Sequence, residues 1–328
     1  MAIYTYWNFR YFDVEESKKE KIYKKQNRLM LLMHFVAFAV MFLRTEDLKL
    51  LIFYGIQVAF LISYLFLYSK IYRYRARLLM SNLSLLICVG FIILTRLSFD
   101  KAVRQFVIIL CSAIVTWIIP FFIGRVWQLC RIPWIYGIGG VALLGMVWIA
   151  GDSSYGAQLS FHMGPFSMQP SEFVKITFVF FVASMFHSSI DKKQILKVTI
   201  VAALHVLILA ASKDLGSAFI FFVTYLFMLF IATSKWRYLI LGTISGCIAS
   251  VIAWKLFAHV RVRVMAWQNP WADIDNRGYQ ITQSLFAIGT GSWFGMGLYQ
   301  GMPKRIPVVE KDFVLAAISE EMGAIFAF

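Results

Sequence analysis

The chain carries little charge. Only 15% of its 328 residues are Asp, Glu, Lys or Arg, and 60% are hydrophobic; a soluble domain is roughly 25% charged and about 45–50% apolar. That balance excludes an ordinary soluble domain and points to a polytopic membrane protein. Cysteine is scarce. Cys88, Cys111, Cys130 and Cys247 lie in or beside apolar runs, and none has a second Cys or His at metal-ligand spacing. They read as packing or lipid-facing residues, so no metal site is expected from them. Met1 to Arg28 lacks an apolar h-region, so no cleavable signal peptide is expected. Heptad repeats and low-complexity tracts are also missing. Acidic residues are few, 17 against 32 Lys and Arg, for a net charge of +15. In a soluble protein that excess would suggest nucleic acid. Beside apolar spans it follows membrane topology instead, so no nucleic-acid partner is expected.

What the chain does have is apolar runs near the ~20 residues that cross a bilayer. Nine are present, at about 29–43, 49–68, 79–96, 105–124, 133–150, 173–187, 196–212, 215–233 and 238–257, and a tenth begins at Phe313. The expected fold class is therefore an all-α polytopic membrane protein of about nine to ten transmembrane helices. Residues 1–28 form a basic segment, with Asn8 to Arg28 read as a charged helix. Lys and Arg concentrate in alternate connections if the N-terminus is cytoplasmic. Nine spans then place residues 258–312 outside, as a long extracytoplasmic loop.

This loop holds Arg261, Arg263, Asp273, Asp275, Arg277, Lys304, Arg305, Glu310, Lys311 and Asp312. Its basic residues run against the positive-inside pattern, which suggests that they serve an anionic ligand. The segment Tyr279 to Leu298 is apolar but rich in glycine, as a re-entrant or interfacial piece would be. Four motifs stand out. Gln169-Pro170-Ser171-Glu172 reads as a helix start with Ser171 as a cap, and Lys175 shares a face with Glu172. Lys213-Asp214-Leu215-Gly216 reads as a tight turn with Asp214 as N-cap. Arg261 and Arg263, followed by Gln283 and Ser284, can meet a phosphate; snorkelling arginines are the plainer reading. Asp312 sits where the loop re-enters the membrane, and partial desolvation would favour a general base there. Its plainer reading is a helix N-cap.

In this order and register, Gln169–Ile176, Asp214–Ala218, Arg261–Pro270, Gly278–Gly301 and Pro307–Gly323 resemble the SEDS family (shape, elongation, division and sporulation proteins of the RodA and FtsW type), over residues 76 to 328. The resemblance implies a peptidoglycan glycosyltransferase. Such a protein polymerises lipid II by inverting glycosyl transfer and releases undecaprenyl pyrophosphate, in elongation, division or sporulation. It implies Asp312 as catalytic base, and Glu172, Lys175, Asp214, Arg261, Arg263, Gln283, Ser284, Lys304, Arg305 and Glu310 as substrate-binding residues. No cofactor is obligatory, although a divalent Mg or Mn ion can assist at the pyrophosphate. A class B penicillin-binding protein is the implied partner, and the bacterial cytoplasmic membrane the implied location. The family's His-Thr before the aspartate is Glu310-Lys311 here. Aligned on the Gln-Pro-Ser-Glu motif, residues 29–75 are an extra helix pair, and the core 76–328 is C-terminally incomplete. Two rival classes are a flippase for lipid-linked sugars and a non-catalytic scaffold for a transpeptidase.

Overall fold

The computed structural model describes residues 16–72, 77–125, 131–154, 157–163, 166–276 and 278–328, together with Ile3 and Tyr6. Arg277 and Cys130 lie outside the described residues. The order of elements is α1 (Glu16–Thr45), α2 (Leu48–Ile71), α3 (Arg77–Leu97), α4 (Phe99–Arg125), α5 (Pro133–Ala150), β1 (Asp152–Ser154), β2 (Ala157–Met163), β3 (Phe166–Met168), α6 (Pro170–Ser188), α7 (Lys192–Ala211), α8 (Leu215–Thr233), α9 (Trp236–Leu256), α10 (Ala258–Gln268), α11 (Tyr279–Gly291), α12 (Val314–Met322) and α13 (Ala324–Ala327).

Every apolar run in the sequence is helical. Eight helices among the described residues are long and apolar enough to cross a membrane: α1 to α5 and α7 to α9. The remaining run, 173–187, forms α6, a full 19-residue helix that is not one of these eight. The charged N-terminal segment does not stand apart from the first span. From Glu16 it runs unbroken into it, as one 30-residue helix of about 45 Å. A short antiparallel sheet in the order β1-β2-β3 precedes α6 and adds to the helical fold.

The chain divides into two compact units. One comprises Met1–Ile119 with His259–Phe328, the other Pro120–Ala258. The first boundary falls at Pro120 inside α4, where proline removes a helical hydrogen bond. In the first unit, α3 buries Met80, Ser84, Cys88, Phe91, Ile92 and Thr95 at helical spacing. With Met30, Phe38, Phe60 and Phe106 much of this face forms one core. Buried polar pairs join it, Gln26 Nε2 donating to Asn82 Oδ1 at 3.0 Å and His34 Nε2 lying 3.0 Å from Gln57 Oε1. Residues 29–72 of the extra pair of the sequence reading thus pack into this unit.

The second unit is cored by Val174, Phe178 and Phe181 of α6 with Phe221 of α8. A Cβ at Gly140 would stand 2.6 Å from His205 Nε2, so the missing side chain permits that helix contact. No residue of α9 is buried, as expected for a helix bathed in lipid.

Candidate functional site

The C-terminal part of the first unit is built around α12. Its Ala316, Ala317 and Ile318 pack on Ile93 and Leu97 of α3, Ala287 of α11, and Ile306 and Val309. α11 comes very close, since a Cβ on Gly291 would overlap the Ser319 carbonyl. The chain after α11 then wraps the end of α12. Met296 N donates to Glu320 O, Gly297 N to Glu321 O, and Ala324 N to Ser292 O, each at 2.9 Å. Gly323 turns with φ +91°, and a Cβ there would lie 2.5 Å from Trp293 O. Gly323→Ala adds left-handed strain to that clash and should cost more than about 2 kcal/mol. A lowered thermal midpoint of the purified protein would show it; an unchanged midpoint would mean that the wrap is loose.

Two buried carboxylates close the wrap. Glu321 is 1% exposed and pairs with Arg96, 11% exposed, at the end of α3. Arg96 Nε and Nη2 donate to Glu321 Oε1 at 3.0 and 2.8 Å. Tyr299 N donates to the same oxygen at 3.2 Å, and the Arg96 guanidinium lies 3.9 Å from the Tyr299 ring centroid. Burial pushes the Tyr299 phenol up, with Arg96 opposing, so the ring meets the cation in its neutral form. Glu320 accepts from Met302 N at 2.8 Å, while its Oε2 is buried without a partner among the described residues. Glu320 and Glu321 therefore tether the stretch that leads into the 3₁₀ turn Pro303–Arg305. On that turn Pro303 is buried and Lys304 and Arg305 are exposed.

The turn from Ile306 to Phe313 presents Asp312. Ile306 and Val309 anchor it in the core at 2% and 3% exposure. Val308 has φ +55°, an outlier for a β-branched residue that costs on the order of 1–3 kcal/mol and is characteristic of functional sites. Lys311 N and Asp312 N both donate to Val308 O, at 3.0 and 3.2 Å. Glu310 forms an ion pair with Lys101 of α4. Asp312 is exposed, rather than partly desolvated as its place at the membrane edge suggested. No ion pair or side-chain hydrogen bond is formed by its carboxylate among the described residues. It does not cap α12, whose N-cap position is Phe313.

The other expected residues of this unit are more dispersed. Arg261 and Arg263 are exposed on α10. Helix positions two apart do not face each other, so the two guanidinia point apart rather than forming one fork. Gln283 and Ser284 lie on α11, whose 13 residues suit an interfacial piece. The Ser284 hydroxyl is occupied, donating to Ile281 O at 2.7 Å.

In the second unit two motifs meet. Asp214 caps α8, Ser217 N donating to its Oδ1 at 3.1 Å, and Gln169 Nε2 donates to its Oδ2 at 3.4 Å. Asp214→Ala should cost about 1 kcal/mol; a thermal midpoint equal to wild type would sink that estimate. Ser171 is not the cap of α6. Gln169 holds the N-cap position without a side-chain bond to the helix's own backbone N–H groups, Pro170 opens the helix, and the buried Ser171 Oγ has no partner among the described residues. Proline tolerates that first position because its missing N–H would be unpaired anyway. Lys175 Nζ and Glu172 form an ion pair at 2.7 Å across one helical turn.

Arg96, Lys101, Tyr299, Glu320 and Glu321 carry geometry that sequence reasoning did not assign. Their signal was an arginine inside the end of an apolar run and a Glu-Glu pair inside another, since charges in such runs usually have partners.

Comparison with known proteins adds a family frame. A model of the FtsW/RodA/SpoVE family, described as cell cycle protein, matches residues 76–327. Peptidoglycan glycosyltransferase RodA of Mycobacterium tuberculosis is 32% identical over 219 residues, covering 60% of this chain and 46% of that protein. The probable peptidoglycan glycosyltransferase FtsW of Neisseria gonorrhoeae is 30% identical over 251 residues, covering 61% and 54%. The chain spans about half the length of the curated relatives it matches. A chain from a structural study of coordinated polymerization and crosslinking by a peptidoglycan synthase complex superposes with a TM-score of 0.58. It has 21% identity and covers 73% of this chain and 69% of that one, which shows likeness of fold.

Proposed function

The chain belongs to the FtsW/RodA/SpoVE family of cell cycle proteins, and on that premise we propose that it polymerises the glycan strand of peptidoglycan from lipid II. The observation that carries this reading is Asp312. It is an exposed carboxylate without a side-chain partner among the described residues, on a strained turn whose flanks are anchored by Ile306, Val309 and the Lys101–Glu310 pair.

Asp312 takes the proton from the sugar 4-hydroxyl of the acceptor lipid II. The oxygen attacks the anomeric carbon of the growing chain and forms the new glycosidic bond with inversion. The anomeric carbon–oxygen bond to the diphosphate breaks, and undecaprenyl pyrophosphate leaves. Its developing negative charge needs cations, and stabilising such charge is usually a large catalytic contribution. Lys304 and Arg305 share the tethered stretch that leads to Asp312; Arg261 and Arg263 offer two further exposed charges. Glu310 is engaged by Lys101 and so orients the turn rather than competing for the proton. Glu172, Lys175 and Asp214, which the family resemblance implies as substrate-binding residues, belong to the second unit. Among the described residues no three His, Cys, Asp or Glu stand together as a metal cage.

The site works on the outer face of the bacterial cytoplasmic membrane, with the N-terminus inside. That topology requires α6 to cross as well. Its 19 residues reach about 28 Å, and the Glu172–Lys175 pair offsets two of its charges. A class B penicillin-binding protein takes the nascent strand for crosslinking. The test uses the full-length protein with its transpeptidase in liposomes containing lipid II. Glycan polymer on gels supports the proposal. Lipid II movement across the bilayer without any polymer would assign the protein to the flippase class instead, and neither activity would leave a scaffold.

A further inference from the structure

We propose that the end of the first unit where α1, α2 and α3 meet binds the headgroup of an anionic phospholipid. A cavity of about 330 Å³ lies there. Its polar lining includes Tyr23, Lys24 and Asn27 of α1 and Arg77 of α3, and its apolar wall includes Leu65 and Phe66 of α2. The two cations are available. Among the described residues Lys24 is held only by an exposed pair with Glu20, the one acidic group in the lining, at 2.9 Å, and such pairs are weak. Arg77 has no carboxylate partner within ion-pair distance among the described residues. Asn27 Oδ1 is buried without a hydrogen bond among the described residues, an acceptor that a hydroxyl on the headgroup satisfies.

The surroundings select a lipid over a free anion. Lys21, Lys25, Arg28 and Lys70 are exposed on the same two helices, and clustered basic residues beside spans attract anionic headgroups. Phe66 is 61% exposed and continues the cavity wall onto the apolar surface of α2, where an acyl chain lies. The family match begins at residue 76, so α1 and α2 stand outside it. This site gives that helix pair a role of its own, securing it to α3 through a bound lipid. The inference rests on the reading that these helices span a membrane, not on the polymerase assignment.

Its test reads retained lipid. The full chain is reconstituted with equal amounts of phosphatidylglycerol and phosphatidylcholine, extracted in mild detergent, and its bound lipid quantified by mass spectrometry. Phosphatidylglycerol is expected to be enriched, with the enrichment falling as salt is raised, because exposed charge interactions are screened. Arg77→Gln should lower the enrichment roughly fivefold, and Lys24→Gln/Arg77→Gln further, since each basic residue near an anionic surface contributes about 1 kcal/mol. Lys49→Gln, at the other end of α2, should leave it unchanged. Equal enrichment in wild type and a double variant of wild-type helical content overturns the site. So does enrichment in wild type that ignores salt, which needs no variant to fold. If inorganic phosphate displaces phosphatidylglycerol completely, the site is for a free anion and the lipid assignment fails.

Discussion

Asp312→Asn is expected to lower glycan polymerisation by about 10²–10⁴-fold, the range that a positioned general base contributes. Asparagine keeps the shape of the side chain and removes the proton acceptor. Asp312 is exposed and makes no side-chain bond among the described residues, so the turn loses nothing that holds it. The fold should survive, with thermal midpoint and transpeptidase binding as in wild type. The effect should therefore fall on turnover with lipid II, not on protein yield. Glu310→Gln provides the contrast. It breaks the Lys101 ion pair, which is part-exposed and contributes little to stability, and it leaves the Asp312 carboxylate in place. A smaller loss of activity than for Asp312→Asn is expected. Polymer at the normal rate from Asp312→Asn would move the base elsewhere.

Arg96→Leu should destabilise the first unit by about 3–5 kcal/mol, because it strands the Glu321 carboxylate in the interior. The carboxylate is 1% exposed, so water cannot replace the lost guanidinium. Arg96→Leu/Glu321→Leu should recover most of the loss, since removing both charges also removes the desolvation penalty. What remains lost is the Tyr299 N–H acceptor, worth about 1 kcal/mol. Thermal unfolding in detergent measures the cycle, and limited proteolysis reports whether residues 296–302 have come free of α12. A single variant as stable as wild type would mean that Arg96 and Glu321 are not buried together in the membrane-embedded protein. The prediction bears on function because Glu320 and Glu321 hold the stretch that carries Lys304 and Arg305.

The architecture was legible in the sequence wherever the cause is local. Apolar runs must be helices in lipid, because no other open structure satisfies the backbone there. All nine runs and the helix after Asp312 follow from that constraint; the capping of α8 by Asp214 follows from a short side-chain acceptor at the helix start. Polar residues in an apolar chain also marked the loop that holds the candidate base. Local rules did less well where two choices compete. Ser171 was the preferred cap by residue type, yet Pro170 takes the first helical position and shifts the cap to Gln169. The charged N-terminal segment has no helix stop before the first span, so α1 runs through both.

Composition and spacing alone therefore determined that this chain is a multi-span helical protein with one long charged connection. They determined it because hydrophobicity and backbone hydrogen bonding act over a few residues at a time. Only the tertiary structure decided which charges meet. Arg96 and Glu321 are 225 positions apart, Lys101 and Glu310 are 209, and Gln169 and Asp214 are 45. Those pairings depend on which helix ends the packing brings together, and no local pattern encodes that. They pair Glu310 with Lys101 and bury Glu321, and leave the Asp312 carboxylate exposed, with no ion pair or side-chain hydrogen bond among the described residues.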